Sequence, residues 1–495
     1  MSTRDALTAV RRFGLGPRPG EIAHIAGDPR GAVLAALARP DAAMIEGPGL
    51  EPSHAVFAKA HQATLEAQMA KAFREEGDRA FAGKDARPSA SLPPPAAGQS
   101  MTMTEAAPGA AGRTTPPPII DRPVQIRRQA LMSDIAARIE HARTTDAGFV
   151  ERLVMFWSNH FCVNANKGAI SGIAGAYERE AIRPHVLGRF ADMLRAVEQH
   201  PAMLIYLDNQ ASTGPNSQVG RTRNRGLNEN LAREILELHT LGVDGGYTQT
   251  DVTNLARIIT GWTVGQPSQV NAEHGKFFFA PARHEPGSFS VLGKSYGSGG
   301  VRTGEQALAD LARHPSTARH IARKLATHFV SETPPPPLIA KLEKAFRDSE
   351  GDLAVVSRAL VAADEAWTAP AAKITPPYDF LIGLQRAFGA PVIVPQPEFS
   401  RLVGVLGQSM WRPPSPKGWP DGDESWASPS TLRERLRVAE RASVLIAQSG
   451  QDARAVAQEI YADALGTETR QAIARAEARE QAFALLMMSP EFLRR

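Results

Sequence analysis

NENLAREILELHTLGVDGGYTQTDV, residues 228–252, holds a helix, its stop and the start of the next helix. Leu231, Ile235 and Leu238 recur at helical spacing and form one apolar stripe. Asn228 is placed to cap the N-terminus, and Gly242 to end the helix in the left-handed region. Thr248 and Asp251 have the spacing of a capping box for the next segment. The same period returns in residues 124–144, 147–163, 185–208, 305–330, 338–348, 353–367, 428–448 and 472–492. Alternation with period two is confined to GKFFFAPAR and GSFSVLGKSYG, which predict one small hairpin near 275–297. The expected fold is therefore all-α, a large multi-helix globular domain, with no fixed-period repeat of the solenoid kind.

The 495 residues, 43% of them hydrophobic, are enough to bury a large core. Three regions are expected. Residues 1–82 form an N-terminal helical segment packed on the core, and 123–495 form the main helical domain. Between them, 83–122 is rich in Pro, Ala, Gly, Ser and Thr with almost no large apolar side chains, the composition of a disordered insertion. A net charge of +4 is small for this length and argues against nucleic acid as the partner. One cysteine, Cys162, leaves no intramolecular disulfide and no multi-thiolate zinc site. There is neither a CxxCH haem motif nor a nucleotide-binding signature, and no run of about 18 apolar residues to span a membrane. The N-terminus lacks the apolar stretch of a signal peptide, so a cytoplasmic location is expected, with a periplasmic one open.

Polar groups with chemical potential fall in four places. On the opening helix, Asn230, Glu234 and Glu237 share a narrow arc with Arg233 beside it, while His239 is expected on the opposite side. Two carboxylates three residues apart in a cleft would repel each other and raise one pKa, giving a proton donor and an anion together. They could also ligate a divalent metal. The competing reading is a solvated face on which Glu229, Arg233 and Glu237 pair at helical spacing. Just upstream, Arg221, Arg223 and Arg225 lead from a Gly/Ser/Asn loop toward a helix N-terminus, a setting suited to an anionic or polyhydroxy ligand.

In LVMFWSNHF, residues 153–161, His160 shares a face with Leu153, Phe156 and Trp157. That apolar setting would keep its imidazole neutral, suited to base catalysis or metal binding, whereas most such histidines are hydrogen-bonded core residues. Asn159 points elsewhere and adds a second polar contact. His284 and Glu285 precede a turn and could reach one ion together. Finally, residues 407–430 place Trp411, Trp419 and Trp426 among five prolines, a stiff aromatic loop that covers a core edge or stacks on a ring-shaped ligand. Asp421, Asp423 and Glu424 follow Trp419 without calcium-loop spacing.

Eight blocks taken in order resemble the bacterial family called domain of unknown function 1800. They are RRFGLGP (11–17), LVMFWSNHF, the run 177–209, the run 226–252 with ITGW, HEPGSFSVLG (284–293), the run 314–330, GQSMWRPPSPKGWP (407–420) and MSPEFLRR (488–495). The resemblance implies a largely helical protein, and a secreted sulfatase-like protein as partner, because genes of the two families often adjoin. It carries no established reaction. Glu285 stands where the family has aspartate, which keeps an acidic group there.

Together these features predict a hydrolase or lyase acting on a polyhydroxy or anionic, glycan-like ligand. Glu234, Glu237 and His160 are the expected catalytic groups, with Asn159, Asn230, Arg233, Arg225 and Trp419 lining the pocket. Glu234, Glu237, His284 and Glu285 are the candidate ligands of a divalent metal. The alternative is a non-catalytic binding or maturation partner of the sulfatase-like protein.

Overall fold

The computed structural model describes residues 3–39, 41–82, 121–223, 226–389, 392 and 394–495. The helices that build the core and the site are α1 (Ser53–Ala82), α2 (Arg122–Thr144), α3 (Gly148–His160), α4 (Phe190–Glu198), α5 (Asn230–Glu234), α6 (Gln249–Ile258) and α7 (Val301–Ala312). After them come α8 (Pro315–Phe329), α9 (Pro336–Asp348), α10 (Leu353–Ala362), α11 (Pro377–Phe388), α12 (Pro429–Gln448) and α13 (Arg479–Met487). The fold is all-α. Consecutive helices pair where their connections are short, as in α8 with α9 and α9 with α10, while α1 lies along α2 and α12 along α13. Of the expected insertion at 83–122, all but Asp121 and Arg122 lies outside the described residues.

Several helices start where a side-chain acceptor immediately precedes proline: Asp28-Pro29, His200-Pro201, His314-Pro315, Ser428-Pro429 and Ser489-Pro490. The acceptor satisfies an otherwise unpaired N–H of the first turn, and proline at N1 has none to satisfy. At α8 the acceptor is Nδ1 of His314, which takes the N–H of Ser316 at 3.2 Å. Ala318, Ile321, Ala322, Leu325 and Phe329 then bury one face of α8, which fixes Lys324 and His328 along its flank.

The opening stretch folds as its caps predict, with one difference. Asn228 Oδ1 accepts from the N–H of Asn230 at 2.9 Å, Gly242 has φ of 84°, and the Thr248–Asp251 capping box is present. After α5, however, Ile235–His239 forms a π-helical turn. Such a turn rotates less per residue than an α-helix, so residues beyond it leave the arc that regular periodicity assigns them. His239 is turned into the core, where its Nδ1 lies 2.7 Å from Glu198 Oε1.

A hairpin does form in the expected region, with β3 (Phe289–Val291) antiparallel to β4 (Lys294–Tyr296). Leu292 and Gly293 turn it with φ of 49° and 77°, and Asp251 Oδ1 accepts the Leu292 N–H at 2.7 Å. Phe277–Phe279, β2, pairs instead with Trp262–Val264, β1. Trp262 is fully buried, and its ring meets Phe277 edge-on at 5.6 Å between centroids, within the usual range for aromatic pairs.

One apolar core runs through the fold and includes Phe13, Val33 and Val56 from the N-terminal region together with Trp157, Phe190, Phe329, Phe380 and Phe492. Inside it are buried charges. Arg183 holds Glu151 with bonds of 2.7 and 2.8 Å and Glu178 with bonds of 3.1 and 2.9 Å. Burial alone would push Glu178 upward, but Arg138 and Arg183 hold it below the ordinary carboxylate range. Arg152 and Arg495 share Asp379 at 2.7 and 3.1 Å. No helix among the described residues is long and apolar enough to cross a membrane.

Candidate active site

The C-terminal end of α3 and the proline-rich loop at 411–420 are fastened together. A proline-rich segment has carbonyls to satisfy but few N–H groups of its own, so its partners must supply donors. Ala165 N–H donates to Trp411 O at 2.8 Å, and Asn164 Nδ2 to Pro413 O at 2.8 Å. The Cys162 thiol faces Pro416 O at 3.2 Å. Asn159 completes the set: its Nδ2 donates to Trp419 O at 2.9 Å and its Oδ1 accepts Trp419 N–H at 2.8 Å. Gly418 permits this approach, because its φ is 85° and a Cβ there would lie 2.5 Å from Asn159 O.

Between this loop and the core lies a cavity of about 90 Å³, several times the roughly 10–15 Å³ that one water requires. Trp411, Trp419 and Trp426 form its aromatic walls. Trp411 holds φ of 47°, uncommon for a bulky residue, and its Nε1 donates to Glu178 Oε2 at 3.1 Å. Trp419 and Trp426 lie 6.2 Å apart at 51°. Ser158, Cys162 and Tyr378 also line the cavity.

His328 of α8 and Asp421 of the loop line the same cavity. Nδ1 of His328 meets Asp421 Oδ1 at 2.8 Å, while Nε2 is buried without a hydrogen-bond partner among the described residues. Burial works against the Asp421 charge, but His328, Lys373 and Lys324 outweigh it and hold the carboxyl below its usual range. In the tautomer that donates Nδ1–H to Asp421, Nε2 carries the lone pair, the arrangement of an oriented general base. Lys324, one turn earlier on α8, is lowered by burial. The Cys162 thiol is pushed by burial up to about 12, which keeps it protonated and a poor nucleophile.

The other residues singled out in the sequence separate into different settings. His160 is 2% exposed, packed among Phe156, Trp157 and Phe161, with Nε2 3.2 Å from His239 O. Burial first, then the positive neighbours Lys324 and His320, lowers it well below the ordinary range, so it is neutral as expected, but it does not line the cavity. Glu234 is half-buried, makes no hydrogen bond to the described residues, and is raised by burial. Glu237 accepts from the Tyr247 hydroxyl at 3.2 Å, Arg233 pairs with Glu229 at 3.3 Å, and Asn230 is exposed. Arg225 lies outside the described residues.

The structure does not gather Glu234, Glu237, His284 and Glu285. Glu285 is 3% exposed and accepts from both the backbone and side-chain nitrogens of Asn216, at 2.8 and 2.6 Å. It staples the 214–217 loop, since Gly214 packs directly on it. His284 Nδ1 sits 3.0 Å from Thr260 O. Among the described residues, no three or more His, Cys, Asp or Glu side chains are placed together to hold a metal ion.

Asn159 and Trp419 are thus the expected site residues that meet in the cavity. His328 was not singled out, because in HPSTARHIARKLATHFV it is one of three histidines in an otherwise ordinary amphipathic helix. The available signal was its spacing of four from Lys324, which puts two titratable groups on the flank of a buried face.

No curated protein and no solved structure matches the chain. A family model described as "Protein of unknown function (DUF1800)" matches residues 8–494. The match spans nearly the whole chain, so it covers α1 through α13 and both halves of the cavity, the α3 end and the tryptophan loop. The chain belongs to the DUF1800 family.

Proposed function

We propose that this protein is a hydrolase in which His328, oriented by Asp421, activates water against a ring-bearing polyhydroxy or anionic substrate held in the tryptophan-walled cavity. The observation that carries the reading is the unpartnered Nε2 of a buried histidine whose other nitrogen is bonded to a carboxylate. A buried polar atom without a partner is uncommon and calls for a ligand, a water or a chemical role. In this reading Nε2 takes a proton from water as the oxygen attacks. The same nitrogen, now protonated, returns the proton to the leaving group. Asp421 stabilises the imidazolium in between. Trp419 offers a flat apolar face for a sugar-like ring, and Asn159 keeps that face in place through its two bonds to the Trp419 backbone.

A second reading keeps the reaction at Glu234. It is supported by the raised, half-buried carboxyl without a hydrogen bond, the profile of a proton donor. The two are separated by measuring nitrophenol release from a panel of nitrophenyl esters and glycosides, with melting temperatures recorded for every variant. The cavity reading expects His328→Gln to abolish turnover and Glu234→Gln to leave it near wild type. The reverse pattern moves the reaction to Glu234. Full activity in both variants contradicts both, while the absence of turnover in the wild-type protein leaves the non-catalytic partner role for a secreted sulfatase-like protein.

A further inference from the structure

Arg138 lines the cavity and is 8% exposed, and although its charge faces Glu178, none of its N–H groups makes a hydrogen bond to the described residues. Its nearest carboxylate is Glu178, with Nε 3.4 Å from Oε2 and without the geometry of a hydrogen bond. The reason is occupancy. A carboxylate offers about four lone-pair sites. Those of Glu178 are taken by two nitrogens of Arg183, by the Ser158 hydroxyl at 2.8 Å and by Trp411 Nε1. Asp379, the other carboxylate of this wall, has its Oδ2 engaged by Arg152 and Arg495.

Arg138 is nevertheless held firmly. Its Cζ lies 5.1 Å from the centre of the Tyr378 ring and 5.3 Å from that of Trp411. Contacts of this kind fix a guanidinium without consuming its N–H groups. The hydroxyl of Tyr378, which is 3% exposed, is likewise buried without a partner. Two donors, one of them cationic, are therefore left without a hydrogen bond in the lining of one cavity.

We propose that Arg138 and Tyr378 form an oxyanion subsite that takes a carboxylate or sulfate carried on the substrate ring. Five N–H groups in a planar fork suit two oxygens of one anion, and the Tyr378 hydroxyl supplies a further donor. The neighbouring Oδ1 of Asp379, also without a partner, can accept a hydroxyl of the same ring. The inference rests on the cavity being the substrate site proposed above, and it adds an acidic sugar as the substrate class.

Calorimetric titration of the intact protein with D-glucuronate, glucose 6-sulfate and glucose tests it without requiring turnover. Charge-assisted bonds of this kind predict that one or both anionic sugars bind about ten-fold or more tighter than glucose. Arg138→Gln should erase that preference, and Arg138→Lys, which keeps the charge on a smaller head, should retain part of it. His328→Gln should leave the preference intact, so failure of the catalytic reading remains separate from failure of this one. The relative affinity of the two anions identifies carboxylate or sulfate. Equal affinity for all three sugars, no binding of any, or a preference that survives Arg138→Gln in folded protein would overturn the subsite and leave only water beside Arg138.

Discussion

Nδ1 of His328 lies 2.8 Å from Oδ1 of Asp421, across 93 positions of sequence. The contact joins a regular helix to a proline-rich loop and leaves the second imidazole nitrogen for other chemistry. If Asp421 sets the orientation and tautomer of that ring, Asp421→Asn should lower kcat by about 10²–10⁴, the range typical of general-base catalysis, with little change in KM. The melting temperature should shift far less than the rate. Steady-state kinetics beside a thermal melt check this, and an equal loss in both would make the pair structural.

Asn159 should act through Trp419. Asn159→Ala removes both bonds to the Trp419 backbone and leaves its N–H without that partner. A cost of about 1–3 kcal/mol is expected in urea denaturation, with a change in tryptophan emission before global unfolding. Gly418→Ala should have a similar local effect, since it places a methyl against Asn159 O at a positive φ.

Arg183 should be among the most sensitive core positions. Arg183→Met would leave Glu151 and Glu178 without their shared guanidinium, and breaking a buried pair in this way costs about 3–5 kcal/mol. The measurement is the urea midpoint at neutral pH. Exposed pairs such as Arg401 with Glu398 should contribute far less, since both partners remain largely in solvent.

Stability should fall with acid in a defined window. His320 is held by burial, and secondarily by Lys324, down to about 4 from an ordinary value of 6.5. A folded-state value below the unfolded one means that the unfolded chain binds the proton first. The contribution is therefore complete above 6.5 and is lost as pH falls toward about 4. His160, lowered well below the same reference by burial, acts in the same direction. Urea midpoints measured across this range should decline, and His320→Gln should make the decline shallower.

The parts of the fold legible in the sequence were those set by local chemistry. The capping box at Thr248 and Asp251 and the stop at Gly242 depend on residues within one turn of each other, and both are present. The pairing of Phe277–Phe279 was not legible, because Trp262 competes for it from across a loop and burial of the indole decides the outcome. The π turn at Ile235–His239 was not legible, because it interrupts the periodicity on which helical arcs rely, and His239 is buried against Glu198. For the site, Asn159 and Trp419 stood out by residue type, and the structure joins them. His328 did not, and Asp421 was only one of three acidic groups after Trp419, since their pairing forms only when the loop folds back onto α8. Glu285 beside His284 suggested an ion, but its carboxylate serves the 214–217 loop.

Nitrogen-15 NMR of the imidazoles, with the His328 signals identified by their loss in His328→Gln, measures the proposed base itself. In mildly alkaline buffer the account predicts a proton on Nδ1, bonded to Asp421, and a bare Nε2 whose shift responds to a sugar entering the cavity. A proton fixed on Nε2, or signals indifferent to every cavity ligand that binds, would contradict it.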